Sequence, residues 1–362
     1  MRRVTARAEQ MRLDSAFLAS QAQRLAKPIQ PFHWRLGLVG IPGVAVVLLL
    51  GRLITDPLHA AIAAGAAFSV GFGLSRDLFG HRWGAMAAAM LGMATAGVLG
   101  TLAGSWFPIL ALVSAALAAL CALFALVDED LWWVTLQIVI AFMMAGYFPG
   151  GLDASGGRAL AVIAGGTVEI ATVAAIASLL PRPLHRLPLA TGRRDFKRSL
   201  AIAHTIRAAL AVLLSLSVAS GIGLAFDYWA PITALIVLKP GLHDTRVRGW
   251  SRLLGTAGGC LLALLWAGGL ALGHLGLTIS AIVAIAFTYS VQKASYEIFS
   301  AAVTVTVVFL VSLGQGDAIG NAEHRLLATI IGGLAALLVS APLPHRRPQT
   351  VEPDRLGELP KS

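Results

Sequence analysis

The sequence predicts an all-α membrane protein of about twelve transmembrane helices, arranged as two six-helix repeats of parallel orientation. Three observations carry this expectation. Of the 362 residues 57% are hydrophobic and 13% charged, with a mean hydropathy of +0.77, a balance too apolar for a soluble globular domain. The apolar residues fall in runs of about 20, long enough to cross a hydrocarbon layer of about 30 Å as helices. A cassette also recurs: Arg35, Asp56 and Arg82 are echoed by Arg207, Asp227 and Arg252, at separations of 172, 171 and 170 residues. Arg158 followed by ALAVIAGG matches Arg325 followed by LLATIIGG, and LLPRPLHR (Leu179 to Arg186) resembles SAPLPHRR (Ser340 to Arg347). Fused repeats of this kind are how many transporters build a pathway along the seam between two similar bundles.

Residues 1–35 read as a cytoplasmic segment rich in Arg and Gln. Val4, Met11, Phe17, Leu18 and Leu25 punctuate it at loosely helical spacing, which fits either an interfacial amphipathic helix or a disordered tail. No apolar core of a secretory signal is present, so the first span is expected to direct insertion, without cleavage. The first repeat, residues 36–180, offers Leu36 to Ile54, Leu58 to Leu74, Gly84 to Gly104, Phe107 to Leu126, Leu131 to Phe148 and Ala159 to Leu180. Each is an apolar run closed by polar, Gly or Pro residues. Residues 181–199, with Arg182, Arg186, Arg193, Arg194, Lys197 and Arg198 among Pro and Gly, form a basic cytoplasmic linker that could touch anionic lipid heads. The second repeat, residues 200–341, offers Leu200 to Leu224, Tyr228 to Leu238, Leu253 to Leu272, Leu277 to Val291, Ala294 to Leu313 and Leu326 to Ala341. Residues 342–362 are a polar cytoplasmic tail.

With both termini cytoplasmic, Arg52, Arg158 and Arg325 fall outside and the other 25 of the 28 Lys and Arg residues inside, an asymmetry that fixes orientation in the membrane. The same topology accounts for the net charge of +10 without a nucleic acid partner. Cys121 and Cys260 lie in apolar runs and read as small buried hydrophobes. The nine His residues show no zinc-like spacing within one helix, so no metal or other cofactor is expected. Neither a nucleophile arrangement nor an acidic metal motif points to an enzyme.

The most distinctive stretch runs from Asp227 to Gly259. Its apolar core of about 11 residues spans some 17 Å at helical rise, too short to cross comfortably, and such a segment is tolerated where it faces protein or a water-filled cavity. Lys239, Arg248 and Arg252 beyond it suggest a cationic vestibule that attracts an organic anion, or else ordinary topology residues; Arg246 fits the second reading better. Gly255 and Gly259, four apart, offer one face for close helix packing.

This stretch resembles the fusaric-acid-resistance family of aromatic-acid efflux proteins, through Tyr228, Trp229, Thr233, Pro240, Thr245, Arg248, Arg252, Gly255, Thr256 and Gly258 or Gly259. The pattern is also similar to that of plant aluminium-activated malate channels. In the first half it is degraded, with Leu58 where Trp229 would be echoed. The resemblance implies export of aromatic or related organic acid anions by alternating access, and in a host with two membranes a periplasmic adaptor subunit; an anion channel and a non-transporting scaffold or assembly protein are the other readings. A homo-oligomer is left open by the sequence.

Among the remaining polar residues, Glu169 sits near the middle of the sixth span, where a carboxylate must be neutralised, paired or wet; it is a candidate for proton coupling or an interhelical hydrogen bond. Arg158 and Arg325 begin equivalent outer span ends and could form an exit ring for anions or anchor the helices, with Asp56 and Asp227 as their partners. Glu297 is expected to pair with Lys293 four residues earlier. Trp229 could stack on an aromatic substrate or anchor the interface.

Overall fold

A computed structural model describes residues 32–179 apart from 79 and 82, and residues 198–341 apart from 271, 272, 316 and 317. The expected amino-terminal helix, the linker and the tail lie largely outside these residues, as does Arg82. Twelve α-helices are described: α1 Trp34–Ile54, α2 Pro57–Gly71, α3 Gly84–Ala103, α4 Phe107–Val127, α5 Glu129–Gly146, α6 Leu152–Leu179, α7 Arg198–Gly221, α8 Trp229–Val237, α9 Leu242–Leu270, α10 His274–Ser290, α11 Tyr296–Gln315 and α12 Ala318–Ser340. A 3-10 turn, Phe72–Ser75, extends α2. Ten of the twelve are long and apolar enough to cross a membrane; the exceptions are α8 and, at 17 residues, α10. Leu91, Leu112, Leu265 and Leu338 are exposed on the outside of the bundle, as a surface facing lipid tails requires and one facing water does not.

Starts and stops follow local chemistry. Asp56 caps α2, accepting hydrogen bonds from the Leu58 and His59 amides at 3.0 and 3.1 Å, with Pro57 in the first turn; Asp128 caps α5 in the same way through the Asp130 and Leu131 amides. Both satisfy donors that a helix start would otherwise leave open.

Three helix starts fall seven or more residues earlier than the hydropathy pattern placed them. The α9 helix begins at Leu242 rather than near Leu253, so the basic stretch is helical. Thr245 explains this: its hydroxyl accepts from the Lys239 amide at 3.0 Å and reaches the Gly241 carbonyl at 2.9 Å, fastening the turn to the first helical residues. Likewise α6 starts at Leu152 and α12 at Ala318. Arg325 is therefore two turns inside its helix, roughly 10 Å from its start, instead of at the mouth.

Helix pairings recur between the first six helices and the last six. In the first set α1 packs on α2 and α6, α2 on α6, and α3 on α5 and α6; in the second α7 packs on α8 and α12, α8 on α12, and α9 on α11 and α12. The sets meet through α1 with α10, α4 with α7, α2 with α11 and α5 with α8, pairings that exchange with one another when six is added or subtracted. Small residues allow these approaches. A Cβ on Gly165 would strike the Ala63 backbone, one on Gly255 would meet the Glu297 carbonyl and Ser300, and one on Gly259 the Ala301 carbonyl and Thr304.

Gly258 and Gly259 give a matched test. Gly258→Ala, in open space, should leave thermal stability in detergent unchanged or raise it by up to about 1 kcal/mol from helix propensity. Gly259→Ala should lower it by about 1–3 kcal/mol through overpacking against α11. Equal melting temperatures for the two variants would contradict this packing.

Candidate cationic site

The α8 helix is nine residues long and runs about 13 Å at helical rise. Ala230, Pro231, Ile232, Thr233, Ala234, Leu235 and Val237 are buried and Trp229 and Ile236 partly so, so this short segment is largely enclosed by protein. Gly332 of α12 lets it approach closely, since a Cβ there would collide with the Ala230 carbonyl and the Thr233 side chain. Lys239 marks one end of α8 and Trp229 the other.

Four cations follow one another inward from the Lys239 end. Lys239 is half-buried at the junction of the two helix sets, its ammonium 5.7 Å from the Trp132 ring of α5. Burial, reinforced by the neighbouring Arg248, pushes its pKa down to about 8. The Arg248 guanidinium lies 3.2 Å from the centre of the Tyr296 ring. Arg252, one turn further along the same face of α9, is 5% exposed and donates to the Ser300 hydroxyl at 3.3 Å. Arg325 comes next, within electrostatic range of Arg252, 3% exposed and 3.9 Å from the Trp229 ring centre. Burial thus increases step by step from exposed Arg246 through half-buried Arg248 to the enclosed pair.

Among the described residues the Arg325 guanidinium makes no hydrogen bond. All three of its guanidinium nitrogens are buried without a partner, as are Arg252 Nε, Arg248 Nε and the Thr256 hydroxyl oxygen. Glu297, within electrostatic range of Arg248, is engaged otherwise: it accepts from the Ser251 hydroxyl. The expected Lys293–Glu297 pair is absent among the described residues, since Glu297 turns inward to Ser251 while Lys293 lies near Arg76, Glu129 and Asp130. Two like charges side by side, with donors left over and an aromatic face against one of them, can bind an anion by charge-assisted hydrogen bonds.

The first helix set holds its arginines differently. Arg158, in the place on α6 that Arg325 takes on α12, donates to the Thr101 hydroxyl at 2.9 Å and to the Phe148 carbonyl. Of the two expected exit-ring members, Arg158 is thus satisfied locally and Arg325 lies beside Arg252. Arg76, 172 residues before Arg248, bonds Asp130 at 2.9 Å and lies 3.9 Å from Glu129. Asp56 serves His59 at 2.5 Å and Asp227 lies near Ser220, so neither takes up the arginine that sequence paired it with. Arg207 donates to the Pro240 carbonyl at 3.1 Å, bracing the Lys239 turn.

Glu169 lies apart from these cations. It is fully buried, and its oxygens have no side-chain partner among the described residues, with the Val44 backbone amide nearby. Gly43 of α1 and Gly71 of α2 make room for it, and a Cβ on Gly71 would meet both Glu169 Oε1 and the Tyr289 hydroxyl of α10. Tyr289 donates to the Phe68 carbonyl at 2.7 Å. Residues 167 positions on from Glu169 and back from Tyr289 are Ala336 and Ala122, which share one apolar cluster. Sequence reasoning missed Tyr289, Tyr296, Ser300 and the Arg76 network, although the Asp130 to Glu297 spacing of 167 equals that of Arg158 to Arg325.

Arg325→Met removes the unpartnered charge while keeping much of the side-chain volume. In anion-free detergent it should be more stable than the parent by about 1–4 kcal/mol, whereas Arg158→Met should be less stable, because Thr101 and the Phe148 carbonyl lose their donor. Thermal unfolding of both decides it, and a less stable Arg325→Met would contradict the unpaired state. Lys239 is charged below about pH 8 and neutral above it, so anion binding should weaken as pH rises through that value. Lys239→Arg, which stays charged, should move the alkaline limb upward in a titration of anion affinity.

No curated protein and no solved structure matches the chain. Residues 206–339, from the third turn of α7 to the last turn of α12, match a family model described as fusaric acid resistance protein-like, and the match takes in the whole Lys239 to Arg325 series.

Proposed function

We propose that this protein exports aromatic or related organic acid anions from the cytoplasm across a bacterial inner membrane by alternating access, using two six-helix repeats in parallel orientation. The observation that carries this reading is the unpartnered Arg325 beside Arg252 in a protein-enclosed interior. An uncompensated charge there costs several kcal/mol, an expense that a passive scaffold has no reason to bear and an anion site requires. The Lys239 end is cytoplasmic in this account, and Lys239, Arg248, Arg252 and Arg325 lead the anion inward, with Thr256 as a further donor and Trp229 and Thr233 beside the path. In a host with two membranes the family resemblance implies hand-over to a periplasmic adaptor subunit.

Glu169 supports proton coupling. Its carboxyl and Tyr289 stand across the junction of the two helix sets, where the matching pair is Ala336 and Ala122. A polar couple at one of two like-built joints is what a step driven by protonation would use.

Counterflow of candidate aromatic acids in proteoliposomes tests substrate, direction and coupling together. Neutral substitution of Lys239 or Arg252 should abolish efflux while insertion is retained; normal efflux in both variants would overturn the cationic route. Glu169→Gln should leave exchange intact but remove its response to an imposed pH step. A full response would remove Glu169 from coupling, and conductance that follows the anion gradient alone would mark a channel instead.

A further inference from the structure

Five aromatic rings crowd the end of the cationic series opposite Lys239. Tyr147 and Phe148 follow α5 in the first helix set, and Phe226, Tyr228 and Trp229 precede or open α8 in the second. Tyr147 lies 4.9 Å from Phe148, 5.3 Å from Tyr228 and 5.7 Å from Phe226, and Tyr228 lies 5.1 Å from Trp229. The Phe226 ring also faces His324, the neighbour of Arg325, at 6.4 Å. These separations are those of packed rings. The layer sits directly on the Arg325 site, because Trp229 is both its inner member and the ring against the guanidinium.

The backbone beneath the layer is held in a strained shape. Phe226 has φ +56° and is the one positive-φ residue other than glycine among the described residues; Gly223, three residues earlier, has φ +68°. A bulky residue in the left-handed region persists only where its surroundings impose it, and such strain gathers at switching segments. At the other, like-built joint the corresponding residues are Gly314 for Tyr147, Thr55 for Phe226 and Leu58 for Trp229. The aromatic layer is thus confined to the joint that covers an unpaired arginine.

We propose that Tyr147, Phe226 and Tyr228 form the outer gate of the anion route, closing it over Arg325, and that the segment from Gly223 to Phe226 is the hinge on which the second-set rings swing away from Tyr147. This rests on Arg325 being a station for transported anions. The gate keeps the site closed to the outside while the cytoplasmic side is engaged, which alternating access demands.

Cys260 supplies a native reporter. It is 6% exposed, its thiol donates to the Ala322 carbonyl at 3.4 Å, and it lies within electrostatic range of Arg325 and Arg252. In a Cys121→Ser background in right-side-out vesicles, a membrane-impermeant sulfonated methanethiosulfonate added outside should modify Cys260 slowly. Phe226→Asn, which tolerates left-handed backbone, and Tyr147→Ala should each speed modification about tenfold or more, as a rise in the open population of that size would. Two different substitutions guard against misfolding, and Cys260→Ser in each background sets the blank. Unchanged rates in both variants would overturn the gate. Faster labelling without counterflow of any organic acid would uphold the gate and overturn the transport reading; counterflow with unchanged labelling would do the reverse.

Discussion

A guanidinium held in a protein-enclosed helix bundle without a hydrogen-bond partner is the constraint on which this architecture turns. Among the described residues the Arg325 guanidinium has no hydrogen-bond acceptor, and the neighbouring Arg252 repels it. Such an arrangement survives only if the rest of the fold supplies enough packing energy to hold it, or if something negative visits it. Close glycine-mediated helix contacts along α9 and α12 provide the first, and the graded series from Lys239 provides a way for the second.

The two helix sets use the same pairings to opposite electrostatic ends. In the first, Arg76 is answered by Asp130 and Glu129, and Arg158 by Thr101 and the Phe148 carbonyl. In the second, the acid in the place of Asp130 is Glu297, which is occupied by Ser251, and Arg248 rests on the Tyr296 ring instead. An aromatic face attracts a cation without neutralising it, so positive potential remains around Arg248, Arg252 and Arg325. Glu169 and Tyr289 break the likeness in the other direction, placing the buried carboxyl in the first set. Positive field and titratable group are thereby separated across the joint between the sets.

Much of the fold was legible because bilayer thickness and helical rise leave little freedom: twelve apolar runs became twelve helices, and the brevity of the segment after Tyr228 was visible as a shortage of apolar residues. Helix starts were less legible. Hydropathy marks where a chain becomes apolar, whereas α9 begins where Thr245 fastens a turn, and α6 and α12 begin among polar residues. That shift moved Arg325 from a span mouth to the interior, beside Arg252. The basic residues of the site could be named from composition and spacing, but whether each was satisfied depended on partners far away in sequence, such as Ser300, Tyr296 and Phe148. The aromatic layer was hidden for the same reason, its rings coming from segments some 80 residues apart.

The central claim concerns what neutralises Arg325 and Arg252, and locating a bound anion answers it most directly. A structure determined with a brominated aromatic carboxylate, with the bromine located by anomalous scattering, should place the carboxylate between the two guanidinium groups, within hydrogen-bond distance of Arg325, and should lose that density in Arg325→Met. A saturated protein with the carboxylate elsewhere, and with Arg325 turned to a protein acceptor, would contradict the account.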